Sequence, residues 1–157
     1  RQGQGYINAT PLQLAYYSAF LATKGRLNNF SFVQDSKDHK KDTFISENIN
    51  LNDWAKIHES MVGVIENPKG TAGRLRALKD YIVAAKSGTV ELVSTETKED
   101  YQIIREIEGQ RDHAIIIAFG PIPNPEYAVS VVIENGESGG SVAGPVAIAV
   151  LNSLIKE

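Results

Sequence analysis

Lys86-Ser87-Gly88-Thr89 places an ammonium, two hydroxyls and a glycine on consecutive residues. They close an apolar run, Tyr81-Ile82-Val83-Ala84-Ala85, that reads as a β-strand. A strict pleat sends Ser87 and Thr89 to one face and Lys86 and Gly88 to the other. The two hydroxyls then point together at a ligand carboxylate, and the Lys86 charge favours that anion. Gly88 lets another group pack close to the backbone. At a sheet edge the N–H groups near Thr89 are open. One aimed at a developing oxyanion supplies half of an oxyanion hole. The same residues also fit an ordinary edge strand whose lysine blunts pairing. No plausible nucleophile accompanies them.

The surrounding pattern predicts the elements that hold this strand. Thr10-Pro11 starts a helix, with Thr as cap and Pro in the first turn. Leu12, Leu14, Ala15, Tyr16, Ala19, Phe20 and Ala22 make it apolar nearly all round, so it reads as buried, with Gly25 as its cap. Asn52-Asp53 can cap a second helix, in which Trp54, Ile57, Met61, Val64 and Ile65 recur at helical spacing, and Asn67-Pro68-Lys69-Gly70 ends it. His58 reads as a partly exposed or hydrogen-bonded helix residue, not a catalytic one. The motif strand covers 82–93. A polar excursion follows from Thr95 to Gly109, with Tyr101, Ile104 and Ile107 at helical spacing. It predicts a lid beside the cleft. Ala114–Phe119 is continuous and apolar, a strand buried on both faces. Gly120–Pro125 is a turn, and Tyr127–Ile133 a further strand. A glycine-rich connection, Gly136 to Gly144, leads to a last helix carrying Val146, Ile148, Leu151 and Leu154. Successive strands with helices before and after predict an α+β fold, an antiparallel sheet flanked by helices.

Composition narrows the class. The 157 residues suffice for one domain with a core, and 42% hydrophobic with 22% charged residues is ordinary for a globular chain. A formal net charge of −3 gives no reason to expect nucleic acid. Cysteine is absent, which removes disulfides and thiolate metal sites. The Ser36–Asp42 charge run reads as a solvated loop, not as a metal site built on His39. The chain opens at Arg1 in a glycine-rich turn with no Met, which reads as the middle of a longer protein. A missing signal or anchor therefore says nothing about location.

Lys-Ser/Thr-Gly is the third element of the Ser-x-x-Lys, Ser-x-Asn, Lys-Thr-Gly set of penicillin-recognising serine enzymes. The chain resembles the C-terminal half of a class B penicillin-binding protein transpeptidase domain, over nearly its whole length. Gly3-Gln4-Gly5-Tyr6 with Thr10-Pro11-Leu12-Gln13 resembles the family's entry into the helix after the second motif. Asn67-Pro68-Lys69-Gly70-Thr71-Ala72 resembles its loop before the motif strand, and Ala84–Thr89 the motif itself. Arg111-Asp112-His113, Ala118-Phe119-Gly120-Pro121 and Ile133-Glu134-Asn135-Gly136 look closest to the elongation-specific branch.

The resemblance implies a penicillin-binding-protein and serine β-lactamase-like fold with no cofactor. Residues 1–157 would be the C-terminal portion of one transpeptidase domain, whose acylating serine lies before Arg1. Lys86 would be the catalytic group of this chain, joining a proton relay with the second-motif serine. Ser87, Gly88 and Thr89 would bind substrate, and the Thr89 N–H would line the oxyanion hole. Implied partners are peptidoglycan stem peptides, β-lactams and the elongation machinery with its glycosyltransferase, at the periplasmic side of the inner membrane. A β-lactamase, a D,D-carboxypeptidase or a non-catalytic penicillin-binding scaffold shares the same pattern. Two decoys fit the missing motifs by chance: Ser153-Leu154-Ile155-Lys156 and Ser46-Glu47-Asn48. Their order along the chain is wrong, and Ser153 sits where a terminal helix frays.

Overall fold

The computed structural model describes residues 8–27, 44–45, 49–92, 98–107 and 109–155. Helix α1 (Pro11–Ala22) starts as its first residues dictate: the Gln13 N–H donates to Thr10 Oγ1, and Gln13 Oε1 accepts from the Thr10 N–H. Gly25 helps to end it as read: Lys24 (φ 55°) and Gly25 (φ 80°) both take positive φ, and the Gly25 N–H reaches back to Phe20 O while Lys24 N–H bonds Leu21 O. The helix is also less buried than its composition predicts. Leu12 and Tyr17 are exposed, and its fully buried residue is polar Ser18, whose hydroxyl donates to Ala118 O in the sheet at 3.0 Å.

The polar stretch after α1 contains a short antiparallel ladder the pattern does not reveal, β1 (Arg26–Leu27) with β2 (Phe44–Ile45). The charge run and His39 lie outside the described residues. Helix α2 (Leu51–Glu66) is capped by Asn50, earlier than Asn52-Asp53 suggests. Asn50 Oδ1 accepts from the Asp53 N–H at 2.9 Å. Asp53 instead stands in the first turn, where a carboxylate suits the helix dipole. Asn67 ends the helix as expected.

After a 3₁₀ turn (Gly73–Leu78) come β3 (Ala84–Val90), α3 (Lys98–Arg105), β4 (His113–Gly120) and β5 (Tyr127–Ile133). The three strands form an antiparallel meander in the order β3-β4-β5, with Lys86 opposite Ile117 and Ile117 opposite Ser130. The fold is α+β. Alternate residues of β4 enter different cores, so its apolar run is buried on both faces as read. Ala114, Ile116 and Ala118 pack with Leu75, Ala147, Ile148 and Leu151. Ile117 and Phe119 pack with Leu21, Trp54 and Met61. The sheet therefore lies between α1 and α2 on one side and α4 (Gly144–Ile155) on the other. The glycine-rich connection before α4 is itself wound, as a π-helical turn over Gly139–Ala143. That turn brings the backbone of Gly139 against β3.

Candidate functional site

Among the described residues β3 pairs with β4 alone, so its outer side is the edge of the three-stranded sheet. Ala84 and Ala85 are fully buried and anchor its start. From Lys86 onward the strand emerges: Lys86 and Thr89 are exposed, Ser87 and Gly88 half-buried. A cavity of about 440 Å³ is lined by Lys86, Ser87, Gly88, Thr89, Thr71, Ser138, Gly139 and Gly140. The structure thus brings all four motif residues to one cavity. A wider concavity of about 650 Å³ lies on the α2 side, along Glu59, Ser60, Gly63 and Val64, and shares Thr71 and Lys86 with the first. Lys86 stands where the two meet.

The hydroxyls are not idle. Ser87 Oγ lies 2.8 Å from Thr71 Oγ1, so one of these two hydroxyls donates to the other. Thr89 Oγ1 donates to Glu137 O at 3.2 Å, and Lys86 Nζ donates to Ser87 O. Both motif hydroxyls thus have partners within the chain. An anion entering the cavity takes the Thr89 proton from Glu137 O, and the Ser87–Thr71 pair can offer it one O–H. A Cβ on Gly88 would meet Ile115 Cβ at 3.8 Å, an ordinary contact. The close approach to the strand belongs to Gly139.

Thr71, Glu137, Ser138, Gly139 and Gly140 are not site residues on the sequence reading. Thr71 had a signal, a hydroxyl beside glycine in the loop before the strand. The others approach β3 across some fifty positions of chain, and no local period reports such a pairing.

The excursion between β3 and β4 is tied down. Tyr101 Oη donates to Asp112 Oδ2 at 2.8 Å, and Arg105 pairs with Glu137. The Arg111 guanidinium donates to Arg105 O and closes the last turn of α3. None of its described residues lines either cavity, and the described part is a helix tied to Asp112 and Glu137. Residues 95–97 and 108 of the expected lid lie outside the described residues. Burial first, then the hydrogen bond to Asp112 and the charges of Asp112 and Glu137, push the Tyr101 hydroxyl up to about 12. The folded pKa lies above the ordinary value near 10. Stability from this bond is thus whole below pH ~10 and is lost as pH rises towards 12, when the unfolded chain gives up its proton first. An ultraviolet absorbance titration will show a tyrosine component ionising late, to which burial of Tyr81 also contributes, and Tyr101→Phe will reduce that late component by one tyrosine. An unchanged titration in the variant would contradict the Tyr101–Asp112 bond.

The decoys do not join the site. Ser153 Oγ donates to Val150 O of its own helix at 2.7 Å, and α4 contributes nothing to either cavity. Ser46 and Lys156 lie outside the described residues. His58 is a structural residue, buried, with Nε2 2.7 Å from Leu21 O and its ring against Phe119.

Helices on both faces of an antiparallel sheet, with Lys-Ser-Gly-Thr presented to a cavity by the edge strand, carry the third motif of the penicillin-recognising serine enzymes. The chain belongs to the penicillin binding protein transpeptidase domain family, whose pattern matches residues 1–152. It is 32% identical over 147 residues to the peptidoglycan D,D-transpeptidase MrdA of Escherichia coli K12, covering 89% of this chain and 23% of that protein. Pseudomonas aeruginosa PBP2, solved with WCK 5153, superposes with a TM-score of 0.73 at 31% identity, over 99% of this chain and 31% of that one. Helicobacter pylori PBP2, solved in complex with MreC, gives 0.72 at 28%, over 98% and 26%. The chain spans about a quarter of the length of the curated relatives it matches.

Proposed function

We propose that the full-length protein carrying this chain is a serine-type peptidoglycan D,D-transpeptidase, cross-linking stem peptides through an acyl-enzyme that β-lactams also form. In this reading residues 1–157 are the C-terminal portion of the transpeptidase domain, and another part of the protein brings the nucleophile. Lys86 favours the anionic ligand and joins the proton relay. Ser87 and Thr89 bind the terminal carboxylate of the stem peptide, and the Thr89 N–H faces the oxyanion. The observation that carries the reading is the convergence of Lys86, Ser87, Gly88 and Thr89 with Thr71 on one open cavity at a sheet edge. Similarity to MrdA and PBP2 supports work in wall elongation at the periplasmic face of the inner membrane. The MreC complex of the H. pylori relative supports partners in that machinery. A glycosyltransferase partner is part of the same proposal.

A fluorescent penicillin tests this on the full-length protein. The label will sit on a serine outside residues 1–157 and will persist. Thr89→Val, which keeps the shape and removes the hydroxyl, will slow labelling about 10- to 100-fold, the worth of a hydrogen bond to a charged group. Label on Ser153 or Ser46 would overturn the assignment. Rapid release of the label would indicate a β-lactamase or carboxypeptidase.

A further inference from the structure

Glu137 is an unusual residue for its backbone. Its φ of 62° lies in the left-handed region, where a side chain other than glycine costs free energy. A glycine would relieve that cost, and what the glutamate adds in its place is a carboxylate. Each of its groups is engaged. Its N–H donates to Asp112 O at 2.8 Å, its carbonyl accepts from Thr89 Oγ1, and its carboxylate takes the Arg105 guanidinium through Nε and, at 3.2 Å, through Nη2. The two-pronged pairing fixes orientation as well as charge. Arg105 stands on the last turn of α3, whose Tyr101 is in turn hydrogen-bonded to buried Asp112. One strained residue thus joins the moored excursion to a motif hydroxyl.

We propose that Glu137, clamped by Arg105, is a positioning residue that sets the Thr89 hydroxyl for carboxylate-bearing ligands. The inference rests on the transpeptidase reading above. With the cavity empty, the Thr89 O–H points at Glu137 O and its side chain holds one rotamer at the cavity wall. An arriving carboxylate takes over the proton without a search through rotamers. Without the clamp the Glu137 backbone relaxes from its left-handed conformation, the carbonyl moves, and the Thr89 hydroxyl loses this acceptor. Ligand binding must then order it afresh, which weakens the encounter step and leaves the acyl-transfer step untouched.

The test is rapid-mixing acylation of the full-length protein by a fluorescent penicillin, separating the initial binding constant from the rate of acyl bond formation. Arg105→Ala and Glu137→Gln will each weaken initial binding about threefold to tenfold and change the chemical step by less than about twofold. Adding Arg105→Ala to Thr89→Val will cost nothing more, because Arg105 acts through Thr89. The charge exchange Arg105→Glu with Glu137→Arg will recover most of the binding lost by either single change. The proposal fails if the Arg105 and Thr89 effects multiply, if the loss falls on the chemical step, if either single variant binds as the wild type does, or if the exchange rescues nothing. A wild-type protein that takes no label at all would instead remove the transpeptidase reading, and this inference with it.

Discussion

Lys86→Met in the full-length protein will slow acylation by a β-lactam about 100- to 1,000-fold, the scale of losing one preorganised charge-stabilising group. Thermal stability will hold, because Lys86 is exposed and its one described bond is to the carbonyl of the next residue. That bond asks little of the fold and leaves the ammonium at the junction of the two concavities. Met preserves the length of the stem and removes only the charge. A loss of acylation at unchanged melting temperature therefore isolates the electrostatic role. Lys86→Arg will recover only part of the rate. The guanidinium is charged, but its planar fork cannot take the place of a compact, rotatable ammonium between a hydroxyl and a carboxylate. If Lys86→Met acylates within about threefold of the wild type, a surface substitution's ordinary effect, then Lys86 merely blunts an exposed strand edge.

The burial of β4 was readable, because local composition determines it: Ile115-Ile116-Ile117 lies in a run apolar at every residue, which a strand covered on both faces can bury. The edge position of β3 was not, since Lys86-Ser87-Gly88-Thr89 fits an edge strand without requiring one, and the order β3-β4-β5 belongs to the structure. The α2 stripe of Trp54, Met61 and Ile65 was equally local, and each of these residues is buried. Features set by particular hydrogen bonds were less legible. Asn50 and Asn52 are equally good caps in composition, and only the bond from the Asp53 N–H to Asn50 Oδ1 separates them. Lys24 in a left-handed turn gives no sign of itself when a glycine follows. The far wall of the site was least legible. Glu137 and Gly139 sit in a stretch whose glycines suggest a flexible connection. Their meaning depends on β3 and β4 lying against them, and the register of that contact appears in no nearby period.

Gly139→Ala will test that wall, and it will destabilise the domain by about 3 kcal/mol, an overpacking change at the severe end of its range. A Cβ on Gly139 would stand 2.2 Å from Ile115 O, 2.6 Å from Gly88 O and 2.9 Å from Gly88 N. All three are backbone atoms of paired strands, so no side chain can swing aside to make room. Gly140 is as tightly set, with Thr71 O 2.4 Å from its added Cβ. The π-helical turn therefore has two choices on substitution at 139. It can lift from β3, or β3 can part from β4 at the Gly88–Ile115 pair. Either motion moves Ser138 and Gly139 away from Thr89 and enlarges the cavity where a carboxylate should be gripped. Acylation will fall along with stability. Gly88→Ala makes the control, since its Cβ meets only ordinary contacts, and this variant will unfold near the wild type. Denaturant unfolding ranks the two variants, and hydrogen exchange of the β3 amides locates the damage. Equal unfolding midpoints with full β3 protection in Gly139→Ala would mean that the turn does not press on the strand, and the far wall of the site would have to be redrawn.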